Sequence, residues 1–276
     1  MMYQEISESV VFLPRANGSN LACIALEDEL VFFDAGLHTK VAAEFRKKME
    51  EKYQRKTGAL ILTHGHIDHF FGMGAFADVK VIAAKEAEAN IKRFVDANLT
   101  EEILDNLEQF FPTIKEAGKE AKLFMPNQWF DGIANYGKNN ELVFTVIGGH
   151  SNCSSTIYFE KEGAIITGDL MQVERYPYFG EPDTDLEKWI NAIKSWQELN
   201  VKSVVPGHGR VVDVEYLTGV KSFFEDMLTA VKELKKEKVP EEEVANHPKI
   251  PSGYWPKEAK RNPSYDYSIV NLYRKL

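Results

Sequence analysis

Thr63-His64-Gly65-His66-Ile67-Asp68-His69 is the stretch on which the reading of this chain turns. Its last six positions carry three imidazoles and a carboxylate, directly after the apolar run Ala59–Leu62, which reads as a short buried strand. Imidazole and carboxylate are the side chains that hold borderline divalent cations, zinc above all. His64 and His66, two apart in an extended turn, can converge on one ion, while Asp68 and His69 turn toward a second. Burying four such groups together with no cation and no other partner is costly, which disfavours a merely solvated loop.

Working outward, three more apolar runs that read as strands lead to a ligand-type residue. Gly148-Gly149-His150 follows the apolar run Leu142–Ile147, Thr167-Gly168-Asp169 follows Ala164–Ile166, and Pro206-Gly207-His208-Gly209 follows Ser203–Val205. Each alone reads as a turn; as a set they reinforce the histidine stretch. Upstream, Ser9–Leu13, Leu21–Leu26 and Leu30–Phe33 are rich in Val, Ile, Leu and Phe and separated by Asn17-Gly18 and Glu27-Asp28 turn signals, the last run ending at Asp34-Ala35-Gly36. Val79–Ala83 and Thr156–Glu160 are further strands. Apolar residues at helical spacing mark Val41–Tyr53, Leu186–Leu199 and Val214–Val239. A helical insertion runs from about Lys85 to Lys119, with Leu104, Leu107 and Phe111 spaced for packing or for a substrate lid. From Pro248 a tail with Trp255 and several tyrosines reads as an arm over the body, about 248–276. The alternation of strands and helices, repeated, predicts an α/β protein of two layers in one domain spanning 1–276.

The 276 residues include 33 basic and 42 acidic side chains, a formal net charge of −9, which argues against a nucleic-acid binder. No uncharged apolar run reaches the roughly 18 residues of a membrane span. Acidic residues near the N-terminus, in MMYQEISESVVF, are unlike a secretory leader, and two cysteines make no disulfide framework, so a cytoplasmic location is the expectation. Cys153 is expected as a small buried residue, and His38 and His247 as a helix-start and a tail residue.

On these residues and their order, over roughly Val10 to Val212, the chain resembles the metallo-β-lactamase superfamily. The resemblance implies an αββα sandwich of two mixed β-sheets flanked by helices, with a dinuclear site on one edge. It implies that His64, His66 and His150 hold one metal, that Asp68, His69 and His208 hold the other, and that Asp169 bridges them, with Asp34 orienting a ligand histidine. The stretch from Gly168 through Gly180-Glu181-Pro182-Asp183 and Trp189 is similar to generic small-molecule hydrolases of the superfamily. Many relatives read Pro-Gly-His-Thr-Pro-Gly where this chain reads Gly148-Gly149-His150-Ser151-Asn152-Cys153, so substrate contacts of that loop do not transfer.

The expected activity is hydrolysis by a hydroxide bridging two divalent ions, zinc first and iron or manganese as alternatives, acting on a small lactone, thioester or β-lactam. Asp68 is a candidate proton acceptor, and Tyr176 and Tyr178 candidate oxyanion donors. Phe70-Phe71 beside the motif suggest a partly apolar pocket. The expected partner is a small-molecule substrate, with no nucleic acid and no membrane, and a homodimer is compatible with the sequence. Rival readings are a mononuclear iron sulfur-oxidising enzyme of the persulfide dioxygenase type, a phosphodiesterase, a flavin-coupled di-iron relative and a scaffold without catalysis. The flavin-coupled relatives usually carry Glu at the place of His66, and a scaffold predicts a damaged ligand set.

Overall fold

The structure is a computed structural model describing residues 2–15, 17–97, 99–252, 261 and 263–276. Two mixed β-sheets face each other and carry helices on their outer faces. The first sheet has seven strands in chain order: β1 (Gln4–Glu5), β2 (Val10–Leu13), β3 (Leu21–Ala25), β4 (Leu30–Phe33), β5 (Thr57–Ile61), β6 (Lys80–Ala84) and β7 (Gln128–Phe130). β1 to β4 are antiparallel, and β4 to β7 run parallel. The second sheet contains β8 (Ile133–Tyr136), β9 (Leu142–Val146), β10 (Ser155–Phe159), β11 (Ala164–Gln172) and β12 (Ser203–His208) in the order β12-β11-β10-β9-β8, antiparallel except for the β11–β12 pair.

Strand alternation divides the interior in two. On β11, Ala164 and Ile166 face the first sheet, whereas Ile165 between them points to the opposite core; Val205 and Val204 on β12 divide in the same way. This first core continues through the first sheet to helix α1 (Thr39–Tyr53) on its outer face, which buries Ala42, Phe45 and Met49 at helical spacing. The second core lies between the second sheet and helices α6 (Leu186–Glu198), α7 (Tyr216–Lys236) and α9 (Pro263–Lys275), where Trp189, Trp196, Phe223, Phe224 and Tyr265 are buried. The Asp185 carboxylate caps α6 by accepting the Lys188 N–H at 3.0 Å.

Between β6 and β7 the chain forms α3 (Glu88–Asp96), α4 (Glu101–Glu108) and α5 (Ile114–Gly118). Ile91, Ile114 and Ala117 are buried there, and Leu104, Leu107 and Phe111 pack half-buried against the inter-sheet core. Among the described residues of the C-terminal segment, α9 buries Tyr265, Ile269, Leu272 and Tyr273; Trp255 lies outside the described residues. Two further short helices are α2 (Ile67–Phe70) and α8 (Glu241–Val244). Among the described residues no helix is long and apolar enough to cross a membrane.

Candidate metal centre

The ligand-type residues of the sequence reading sit on or just after strands β5, β9, β11 and β12. β5 runs out into Thr63-His64, and His66 precedes the single turn α2, which carries Asp68 and His69. β9 leads to His150, β11 contains Asp169, and β12 ends on His208. The parallel β11–β12 pair places Asp169 beside Gly207, where an added Cβ would strike the Asp169 carboxylate. Gly168 has φ +50° and lies so close to the Thr63 hydroxyl that a side chain there would collide with it.

The seven side chains form two adjoining groups. Ligand atoms of His64, His66, His150 and Asp169 lie within 4.8 Å of one another, as do those of Asp68, His69 and His208. Asp169 reaches into both: its Oδ2 is 3.7 Å from His150 Nε2, and its Oδ1 is 3.1 Å from His69 Nε2 and 3.3 Å from His208 Nε2. His208 Nε2 is also 3.3 Å from Asp68 Oδ2.

Hydrogen bonds on the far side of the rings decide which nitrogens face inward. Asp34, buried at φ +54°, accepts the Thr63 N–H and O–H through its two oxygens, each at 2.8 Å, and the His69 Nδ1–H at 2.7 Å. Since the Thr63 hydroxyl donates to Asp34, it can accept from His64 Nδ1, 3.1 Å away. His150 donates its Nδ1–H to the Tyr178 carbonyl at 2.9 Å. The Nε2 atoms of His64, His69 and His150 are thereby turned toward the centre with the other ring nitrogen engaged, the arrangement a cation requires of imidazole. His64 Nε2, His69 Nε2 and Asp169 Oδ1 are buried side-chain atoms without a hydrogen-bond partner; the last two face each other but are not aligned as a hydrogen bond. Orphaned buried atoms converging in this way fit a divalent cation pair.

The charges agree. Burial and the neighbouring rings of His69 and His66 hold His64 well below the usual histidine range, and burial with His66 lowers His150 to about 4. Burial also works against charge on His69, but Asp34, Asp169 and Asp68 outweigh it and raise its pKa well above the ordinary value. For His208 burial is likewise outweighed, by Asp169 and Asp68, and the pKa rises. Asp169 resists its own burial because His208 and His69 hold it ionised, and Asp68 is lowered by the same two rings. Two neutral and two proton-hungry imidazoles around two carboxylates is the state that cations displace protons from.

Other sequence expectations land elsewhere. Tyr178 stands beside His150, with ring centroids 6.1 Å apart, and burial together with the Glu181 charge raises its phenol pKa. Tyr176 instead puts its hydroxyl 3.4 Å from the Ser252 carbonyl and its ring against Tyr265, in the packing between the 174–180 segment and the C-terminal residues. Phe70 and Phe71 are fully buried in the inter-sheet core, so they line no pocket; the α2 turn directs them inward as it directs Asp68 and His69 to the site edge. The groove next to His150, about 340 Å³, is bounded instead by polar groups including Glu86, Asn152, Asp183 and Asp185. Cys153 is buried, takes the Gly65 N–H at 3.3 Å, and has its thiol pKa raised by burial. His38 precedes α1 and meets the Thr113 hydroxyl at 2.9 Å, and His247 takes the Lys249 N–H at 3.2 Å.

Sequence reasoning passed over Glu181 as a site residue, yet its Oε1 lies 3.3 Å from His66 Nε2. The hydrogen bond with His66 and the charge nearby hold the Glu181 carboxyl below its usual range despite partial burial. No local pattern announces a contact between residues this far apart in the chain.

A profile of the metallo-β-lactamase superfamily matches residues 15–208. The chain belongs to the metallo-β-lactamase superfamily, whose members are mostly hydrolases. In sequence it is similar to a type 2 metallo-β-lactamase of Bacillus sp. (strain 170), 22% identical over 187 residues, which cover 67% of this chain and 64% of that protein. The chain thus spans less than two thirds of this relative's length. In structure it is similar to the stereoselective inverting sec-alkylsulfatase Pisa1 from Pseudomonas sp., with TM-score 0.75 and 17% identity over 99% of this chain and 50% of that one. The DIM-1 metallo-β-lactamase aligns with TM-score 0.61 and 14% identity over 81% of this chain and 96% of its own. At these identities the structural likeness establishes the fold alone.

Proposed function

We propose that the protein is a dinuclear metal-dependent hydrolase acting on a small ester-like substrate, a lactone, thioester or β-lactam. The observation that carries this reading is the convergence of inward-facing ring nitrogens on Asp169, whose two oxygens address both groups. His64, His66 and His150 would hold one cation and Asp68, His69 and His208 the other, with Asp169 between them; zinc suits this imidazole and carboxylate set, and iron and manganese are alternatives. When bound, such a pair would supply Lewis acidity, acidifying water and polarising the substrate's carbonyl oxygen so that the attached carbon becomes more electrophilic.

The chain's own residues do the rest. Asp34 fixes His69 directly and His64 through Thr63, so both rings present Nε2 inward without reorganisation. Asp68, kept ionised by His69 and His208, can take a proton at its carboxylate. Tyr178, beside His150, would hydrogen-bond a substrate oxygen on the side where His66 is partly open. A second reading, hydrolysis of sulfate esters, is favoured by one observation: the likeness to the alkylsulfatase covers 99% of this chain, against 81% for the DIM-1 lactamase.

The test is a panel of lactones, thioesters, chromogenic β-lactams, secondary alkyl sulfates and phosphodiesters offered to protein loaded with zinc, manganese or iron, with oxygen uptake on persulfides measured alongside. Hydrolysis of one class, abolished in His66→Ala, is expected. Full activity after exhaustive chelation, or undiminished hydrolysis by His66→Ala, overturns the reading.

A further inference from the structure

The residues around the centre fall into a shared brace and two private ones. Asp34 is shared, since it reaches His69 of one group and, through Thr63, His64 of the other. The segment Tyr178–Asp185 touches only the first group. His150 donates to the Tyr178 carbonyl at 2.9 Å, the Thr184 hydroxyl donates to the His150 carbonyl at 2.8 Å, and the Asp185 N–H reaches the Gly149 carbonyl at 2.7 Å. Within that segment Glu181 Oε1 lies 3.3 Å from His66 Nε2, on the side of the ring opposite Nδ1, which itself sits 3.0 Å from His150 Nε2. A carboxylate accepting Nε2–H leaves the Nδ1 lone pair free to face inward.

The second group has a different support. Ser19 donates its hydroxyl to the Asp68 carbonyl at 2.9 Å. Asn20, buried, donates through Nδ2 to the carbonyls of Pro206 at 3.1 Å and Gly209 at 3.0 Å, and its N–H reaches the Gly207 carbonyl at 2.8 Å. One dipeptide therefore grips the backbone on both sides of His208 and at Asp68.

From this we infer that the two cation positions are braced independently, the first by Glu181 acting through His66 and the second by Ser19-Asn20 acting through Asp68 and His208. The inference rests on the dinuclear reading. Glu181, Ser19 and Asn20 are positioning residues.

Stepwise uptake of zinc, read by competition with a chromophoric chelator, tests it, with cobalt(II) ligand-field spectra as a second readout. His66→Ala and His208→Ala identify which step belongs to which group. Glu181→Leu should weaken the His66-dependent step by about 10- to 100-fold and leave the other unchanged, and Glu181→Gln should restore it because the amide oxygen accepts the same bond. Asn20→Asp, which removes the Nδ2 donors at similar size, should weaken only the His208-dependent step. Ser19→Ala, a smaller change on the same loop, should do so to a lesser degree, and it carries the test if Asn20→Asp does not fold. Parallel weakening of both steps in either loop's variants overturns independent bracing. Wild-type protein that takes up no pair of cations overturns the dinuclear reading instead, so the two failures are distinguishable.

Discussion

Four of the seven converging side chains come from the single turn at positions 64–69, and the other three from separate parts of the second sheet: His150 after β9, Asp169 within β11 and His208 at the end of β12. The turn is contiguous in sequence, one extended stretch followed by one helical turn, and a single carboxylate from the end of β4, Asp34, holds it through Thr63 and His69. The other three depend on sheet register and on helices packed behind the second sheet. Trp189 of α6, for example, packs at a tilt against Phe224, approaches His150 with centroids 5.7 Å apart, and donates its indole N–H to the Leu170 carbonyl at 2.8 Å. Chemistry is therefore concentrated in one region and its alignment is supplied by the other.

Breaking the turn should have the largest effect. His66→Ala is expected to lower turnover by at least roughly 10²- to 10³-fold, the loss typical of one preorganised electrostatic contact, while circular dichroism reports an intact fold. Breaking the scaffold should act on stability first: Trp189→Ala leaves a cavity in the second core and should cost about 3–5 kcal/mol in denaturant unfolding. Asp34→Asn keeps the size but loses the ionised acceptor shared by Thr63 and His69, and cation affinity should fall by about 10- to 100-fold in a chelator competition.

Acidity sharpens the same contrast in chelated protein. His64 and His150 have lowered pKa values, so the unfolded chain binds more protons there and stability falls as pH drops below the ordinary histidine value of about 6.5. His69 and His208 have raised values, so the stability they add is complete below that same pH and is lost as pH rises through the raised values. The melting temperature without metal should therefore peak near pH 6.5 and fall on both sides; a monotonic profile would contradict the four assignments. At the small end, Phe110→Asp on the exposed face beyond α4, at a residue 59% exposed, should change stability by no more than about 0.5 kcal/mol.

What the sequence disclosed follows the same division. Helices with a clear apolar stripe, α1, α6 and α7, begin and end within a few residues of their expected bounds, because their periodicity records the face they bury. The edge strands β7 and β8 carry three and four residues with little alternation and gave no signal. β11 continues past Gly168-Asp169 to Gln172, through an irregularity in its pairing with β12 that no run of apolar residues marks. In the site, the histidine turn was legible because its residues are adjacent in sequence. Glu181 and Asn20 were not, since their contacts with His66 and with the His208 loop span 115 and about 186 positions and rest on the fold as a whole. Phe70 and Phe71 misled for the converse reason: adjacency to the motif says nothing about which way a one-turn helix directs each side chain.

The last turn of α9 reaches back to this machinery, for Asn271 donates to the Gly180 carbonyl at 2.9 Å and Lys275 donates to the carbonyls of Glu181 and Thr184 at 2.9 and 3.0 Å. Substituting Asn271 and Lys275, which lie off the buried face of α9, would consequently loosen the support behind His66 from a helix that carries none of the seven converging side chains.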